Sequence, residues 1–184
     1  MAVQTLDIEL GSKAPSFSLL NTVNGDIGTL EELKSDTATV VMFICNHCPY
    51  VVHIHQQLVE LANEYIPKGV SFIGISSNSI VTHPQDGPKR MAELAEQLNF
   101  PFPYLYDETQ DVARAYHAAC TPDFSIFNGD LNCVYRGALD GSIPGNDVPV
   151  TGEDMRNALD NILSGQPVNE VQRQSIGCSI KWHP

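Results

Sequence analysis

Two cysteines separated by two residues, Cys45-Asn46-His47-Cys48, stand directly before Pro49 and are the side chains of this sequence best suited to covalent chemistry. A thiol acts as a nucleophile or a metal ligand through its thiolate, so the first question is what would lower its pKa. Pro49 supplies one answer. It has no N–H and suits the first position of a helix, while the residue before a proline is pushed out of the α region. Cys48 is therefore expected at an N-cap, where the positive end of the helix dipole and unpaired N–H groups stabilise a thiolate. Cys45 lies three residues back, and the turn through Asn46 and His47 would bring the sulfurs together for a disulfide. His47, when protonated, would favour the thiolate, and when neutral would accept its proton.

The same stretch carries His53 and His55, making a local Cys/His cluster. Helical spacing after Pro49 sets His55 on an apolar face with Val51, Val52, Leu58, Val59 and Ala62, and His53 away from it. A four-ligand zinc site is accordingly not expected, and no metal or cofactor is assigned, although two thiolates suit copper(I). Of the other cysteines, Cys120 stands two residues before Pro122, Cys133 falls inside a strand pattern that suits plain core, and Cys178 lies in a tail expected to pack on the body.

The elements that must position the pair follow from periodicity. Thr39 to Ile44 is a short β-branched apolar block, as in a strand buried on both faces, and helical spacing begins after Pro49 and runs to Pro67-Lys68-Gly69. Ahead of this unit, Phe17 to Leu20, the turn Asn24-Gly25-Asp26 and Ile27 to Thr29 read as a β-hairpin, and Thr29 with Glu32 as a capping box for a short helix ending near Lys34. Behind it come a strand from Val70 to Ser76, a polar loop from Ser77 to Pro88, a helix at about Lys89 to Leu98, a strand from Tyr104 to Tyr106 and a helix from Thr109 to His117. Phe100, Phe102, Tyr104 and Tyr106 are assigned to the core. A second hairpin pairs Phe124 to Phe127 with Leu131 to Arg136 around Asn128-Gly129-Asp130. A Gly/Pro-rich loop at 141–149 leads to a last helix, capped by Thr151 with Asp154 and ending near Leu163. Residues 166–184 show no strong periodicity.

Composition bounds the rest. With 184 residues and 42% apolar content, the chain suits one domain spanning residues 1–184. A formal charge of −12 disfavours nucleic acid and anionic membrane surfaces, both of which need a basic footprint. Five cysteines make an odd set too sparse for a disulfide scaffold, and no apolar run approaches about 18 residues, so a soluble, cytoplasmic protein is expected.

A hairpin, then a βαβ unit with C-x-x-C at the first strand-helix joint, then a hairpin and a final helix resembles the thioredoxin fold, and more narrowly its redoxin, peroxiredoxin-like (AhpC/TSA-like) branch. The resemblance covers about residues 11–165. It is carried by GSKAPSFSL, the N-H-C-P motif, and the run YDETQDVARAYHAACTPDFSIFNGDLNCVYRG, with GCSIKW near the C-terminus. It implies an α/β fold with a central mixed sheet flanked by helices, an N-terminal β-hairpin and an extended C-terminal tail. It also implies that Thr121-Pro122 is the cis-proline element beside the cysteines. Thr121, Pro122 and Pro49 would then bind the substrate, Cys120 would be a possible resolving thiol, and Cys178 would be a distant one, as C-terminal cysteines are in some peroxiredoxins, although core packing of the tail suits it better.

The sequence departs from its relatives in an informative way. Thioredoxins usually place an aromatic residue before the first cysteine and a proline inside the pair, whereas here Ile44 precedes it, Asn46-His47 fill it and Pro49 follows it. The peroxiredoxin pattern P-x-x-x-T-x-x-C meets Val41 and Cys45 when counted back from Cys48, and Ala38 and Met42 from Cys45. In Sco-type copper-handling proteins, which share the HCP element, a second cysteine stands where this chain has Val52. Three activities follow as expectations. The first is thiol-disulfide exchange on a protein or small-molecule disulfide, with Cys48 attacking and Cys45 resolving. The second is reduction of a hydroperoxide, and the third is carriage of copper or zinc.

Overall fold

The computed structural model describes all residues, 1–184. Its centre is β4 (Ala38–Phe43), buried along its whole length and flanked by β5 (Val70–Ser76) in parallel and by β8 (Asp123–Asn128) in antiparallel register. Alternation sends Val40 and Met42 to one face of the sheet and Val41 and Phe43 to the other, and each face is covered by its own apolar cluster. Burying each such side chain contributes about 1.5–3 kcal/mol, so this strand anchors both layers.

Around it the order of the main sheet is β3-β2-β6-β5-β4-β8-β9. β2 (Ser18–Asn21) and β3 (Ile27–Thr29) form the N-terminal hairpin, and β6 (Tyr104–Tyr106) runs parallel to β5. β9 (Cys133–Gly137) closes the second hairpin with β8 and starts two residues later than expected, because Leu131 is taken up in a left-handed turn. On one face lie α2 (Pro49–Val52), α3 (His55–Tyr65), α4 (Pro88–Gln97) and α6 (Glu153–Leu163). On the other face lie α1 (Leu30–Leu33) and α5 (Asp111–Ala115). This is the mixed, helix-flanked sheet that the sequence implied.

Four local expectations need correction. The helix after Pro49 is broken into α2 and α3 at His53 and Ile54, where Ile54 leaves the helical region at φ −110° and ψ 2°. The run Val51-Val52-His53-Ile54 is rich in β-branched residues, which lose χ1 freedom in a helix. The break turns Val52 out to solvent and puts Ile54 in the core instead. The last helix is capped by Gly152 rather than by Thr151 with Asp154. A distant carboxylate, Asp140 Oδ2, accepts the N–H groups of Thr151 and Gly152, both at 2.7 Å. The helix expected over Thr109 to His117 shrinks to α5, entered through left-handed Gln110. Thr29, by contrast, caps α1 as expected, its hydroxyl accepting the Glu32 N–H at 3.3 Å, while the Glu32 carboxylate accepts from that hydroxyl at 2.9 Å in place of the Thr29 N–H.

The fourth correction matters most for the site. The tail and the extreme N-terminus, which carry no strand pattern, make a second sheet in the order β1-β10-β7. Here β1 (Ala2–Gln4) and β7 (Cys120–Thr121) flank β10 (Ile176–Ser179), both antiparallel to it.

Candidate active site

The polypeptide leaves β4 at Phe43 and reaches α2 through Ile44 to Cys48, with Cys48 at the N-cap (φ −62°, ψ 123°) and Pro49 at the first helical position. Both are where the proline rule puts them. Cys48 makes no capping bond with its side chain, however. Its Sγ points across to β7 and donates to the carbonyl oxygen of Thr121 at 3.3 Å. Cys45 Sγ lies 3.5 Å from the hydroxyl of the same threonine. Both cysteines are fully buried, and all five in the chain are free thiols.

Electrostatics makes the pair asymmetric. The pKa of Cys48 is held well below the ordinary thiol range, chiefly because the Cys45 thiol donates to its thiolate. Burial opposes this, while the Cys178 thiol, the Thr121 hydroxyl and the Val51 N–H add to it. Cys45 moves the other way, through the same hydrogen bond, burial and the nearby carboxylate of Asp86. One proton is thus shared between two sulfurs and sits on Cys45. The causes of this asymmetry are the neighbouring thiols, the Thr121 hydroxyl and one backbone N–H.

Asp86 is missing from the sequence-based site. It lies wholly buried in the Ser77-to-Pro88 loop, accepts the Asn46 N–H at 2.9 Å and the Asn78 amide at 2.9 Å, and so pins the turn between the cysteines. His47 Nδ1 comes within 2.6 Å of Asp86 Oδ2, off the axis of a good hydrogen bond, and its ring stacks on His83 at 5.1 Å. His47 is therefore held on the loop side. Donor atoms of Cys45, His47 and Asp86 lie within 4.8 Å of one another and are the set that would hold a metal. The local Cys/His cluster does not assemble: His53 pairs with Ser142 at 2.7 Å, and half-buried His55 packs edge-on against Phe100.

Thr121-Pro122 is cis, as the resemblance implies. Pro122 and Tyr50 line a groove of about 210 Å³ that runs on to Ser142, and Pro49 lies exposed near its Tyr50 end. Two features of the structure bear on the expected site. The Thr121 edge, meant for a substrate chain, is already paired with β10. Cys120, the possible resolving thiol, turns away to the Pro122 carbonyl at 3.6 Å, with its pKa raised by burial and Asp123. Cys178, paired with Thr121 across β10 and β7, packs against the apolar cluster that holds both cysteines. Asp123, next to Pro122, is buried against Arg136 at 3.1 Å and accepts from Thr5 at 2.5 Å, which ties the N-terminal strand to the site.

The AhpC/TSA family model matches residues 10–137. The chain belongs to the AhpC/TSA family. A search of curated protein sequences finds no match. Among solved structures, this AhpC/TSA-family chain is similar to an uncharacterized conserved protein from Geobacillus kaustophilus, at 59% identity, covering 100% of this chain and 97% of that one, with a TM-score of 0.99. A hypothetical protein from Sinorhizobium meliloti 1021 is 40% identical over 98% of each chain, with a TM-score of 0.95. A putative thiol:disulfide interchange protein DsbE from Chlorobium tepidum has 14% identity, covers 85% of this chain and 99% of that one, and has a TM-score of 0.67. That last likeness is one of fold, and the fold is thioredoxin-like. No helix of this family member is long and apolar enough to cross a membrane.

Proposed function

We propose that the protein is a thiol-disulfide oxidoreductase in which Cys48 is the attacking thiolate and Cys45 its resolving partner. The observation that carries this reading is the opposed pair of thiols at the strand-helix joint: Cys48 acidic, Cys45 holding the proton, and Thr121 in contact with both. The Cys48 thiolate attacks one sulfur of a substrate disulfide and the other leaves as a thiolate. Cys45 then gives up its proton and attacks Cys48 Sγ, releasing the second substrate thiolate and leaving a Cys45–Cys48 disulfide. Asp86 and Asn46 hold the turn that aligns the two sulfurs, and the Pro122 groove supports the substrate beside them. A reducing, cytoplasmic setting suits five free thiols.

Reduction of a model disulfide by Cys48→Ser tests this reading. Activity is expected to vanish, and a variant as fast as the natural chain would refute the assignment. Cys45→Ser is expected to accumulate mixed disulfides with the substrate.

Membership in the AhpC/TSA family favours a second reading, a thiol peroxidase in which Cys48 becomes a sulfenic acid before resolution. Stopped-flow mixing with hydrogen peroxide separates the two, since a peroxidase must consume it far faster than free cysteine does. The Cys45, His47 and Asp86 donors are the observation that favours a third, a copper or zinc carrier. Metal content after anaerobic purification decides it, and a metal-free product counts against it.

A further inference from the structure

A different chemistry converges on the loop side of the cysteine pair. Asp86 is wholly buried, and its one ion-pair neighbour is His47. Its other partners are neutral donors: Oδ1 accepts the Asn46 N–H at 2.9 Å, and Oδ2 accepts from the Asn78 amide at 2.9 Å. A buried carboxylate is costly unless it is paired with a charge or coordinates a metal. His47 does not meet that need by hydrogen bonding. Its Nδ1 sits 2.6 Å from Asp86 Oδ2 and is shut off from solvent, yet it has no hydrogen-bond partner, because the oxygen lies off the axis along which a ring N–H donates. Two electron-pair donors are thus pressed together with no proton shared between them, as neighbouring ligands of one ion are. Cys45 Sγ completes the set, and the three atoms lie within 4.8 Å of one another.

We propose that Cys45, His47 and Asp86 form a regulatory zinc(II) site whose occupancy stops thiol exchange by taking the resolving sulfur. The donors are those of the metal reading above, given a role in regulation in place of carriage, and the effect on turnover rests on the exchange reading. Donor chemistry selects the ion. Zinc takes thiolate, imidazole and carboxylate together, whereas copper(I) selects soft sulfur and gains little from a carboxylate oxygen. Distances suit zinc as well. With bonds of about 2.0–2.3 Å, the ligands of a tetrahedral zinc stand about 3.3–3.8 Å apart. A small rotation of the half-buried His47 side chain spreads it from Asp86 and centres the three donors on one point. Asn46 and Asn78 fix the carboxylate from behind, as outer partners of a metal ligand do.

Ligation replaces the Cys45 proton. The thiol loses H⁺ to solvent, its sulfur bonds to zinc as a thiolate, and no electron is transferred. Three protein donors leave a fourth position for water, so the ion is exchangeable and a chelator removes it. In the loaded protein Cys48 still attacks a substrate disulfide, but Cys45 is held on the metal. The mixed disulfide is then not resolved, and turnover stops there until the ion leaves and the thiol is restored.

The test titrates zinc alone, held on a chromophoric chelator, against the untagged, reduced full-length chain. One zinc per chain is expected. Affinity should fall by roughly tenfold or more in Cys45→Ser and in His47→Ala, and stay unchanged in Cys48→Ser and His53→Ala. Loss in Cys48→Ser with retention in His47→Ala would mean that the two thiols hold the ion, which overturns the proposal, as does a chain that takes no zinc from the chelator. Cobalt(II) in place of zinc gives a second readout, which needs no change at the turn-pinning Asp86. A thiolate-to-metal charge-transfer band is expected in the natural chain and in Cys48→Ser, and its persistence in Cys45→Ser overturns the site. Turnover of a model disulfide should drop by roughly tenfold or more with one equivalent of zinc and recover when chelator is added. Zinc bound through these residues with undiminished turnover overturns the regulatory role. The parent readings fail separately: a metal-free chain without Cys48-dependent reduction defeats the exchange reading while the titration still decides the site, and a metal-free product of anaerobic purification defeats carriage alone.

Discussion

Thr121 holds Cys48 by its backbone and Cys45 by its side chain: the carbonyl oxygen accepts from Cys48 Sγ at 3.3 Å, and the hydroxyl lies 3.5 Å from Cys45 Sγ. One residue of a two-residue strand therefore sets the geometry of both thiols, and the tail strand is paired to that same residue.

Cys48 is expected to be ionised at neutral pH. Its pKa is lowered from 9.0 to about 4, so the thiolate fraction should stay near its maximum from neutral pH down to weakly acidic solution and fall only in more acidic buffer. Ultraviolet thiolate absorbance against pH checks this. Because the hydrogen bond from the Cys45 thiol is the largest cause of the shift, Cys45→Ala, which removes the donor, should move the midpoint further upward than Cys178→Ala does.

Gly177→Ala is expected to lift β10 off β7, since the added Cβ meets the Thr121 carbonyl. Overpacking of this kind costs about 1–3 kcal/mol, which lowers the melting temperature. The informative change is at the site: alkylation of Cys48 should become several-fold faster, because the strand that covers it is loosened. A variant with a lower melting temperature and unchanged alkylation would mean that the strand does not shield Cys48.

Asp123→Asn should be among the most destabilising single changes at the site. It puts an amide where one carboxylate oxygen accepts from both Arg136 and Thr5, which weakens hydrogen bonding of a buried charged donor at a cost of about 1.5–3 kcal/mol. Denaturant unfolding measures it, and because the Thr5 bond weakens too, proteolysis at the N-terminal segment should quicken.

The pH dependence through Asp123 has a definite sign. Burial raises its folded pKa from 3.8 to about 6 against the opposing pull of Arg136, so the folded protein binds the extra proton across that interval. The stability this group contributes is complete below its unfolded value and is lost as pH rises through its folded one. Denaturant titrations at pH 4 and pH 7 isolate it: the stability of the natural chain relative to Asp123→Asn is expected to be greater at pH 4 than at pH 7, and equal values at both would mean that the shift is absent.

Asp86→Asn is expected to lower the Cys45 pKa and loosen the turn between the cysteines. It removes a negative charge that disfavours the Cys45 thiolate and weakens the acceptor for the Asn46 N–H. Faster alkylation of Cys45 by several-fold, read by mass spectrometry, is the expected outcome.

Local chemistry made much of this legible in the amino-acid order. Pro49 alone fixed Cys48 as the N-cap, the β-branched block announced β4, and the alternation of strand and helix patterns led to the mixed sheet, because each rests on interactions between residues close in the chain. Long-range pairing decided the rest. β1 and β10 are three and four residues long, too short for an alternating pattern, β10 carries Gly, Cys and Ser, and both gain their strand character only by pairing with residues distant in the chain, β10 with β7 and β1 with β10. Asp86, Asp123 and Arg136 read as ordinary surface charges until burial sets each against a distant partner. So the sequence by itself determined which cysteine stands at the helix start. The tertiary structure decided which thiols surround it, because the hydrogen bonds and burial that set a sulfur's pKa come from Thr121 and Cys178, which lie far away along the chain.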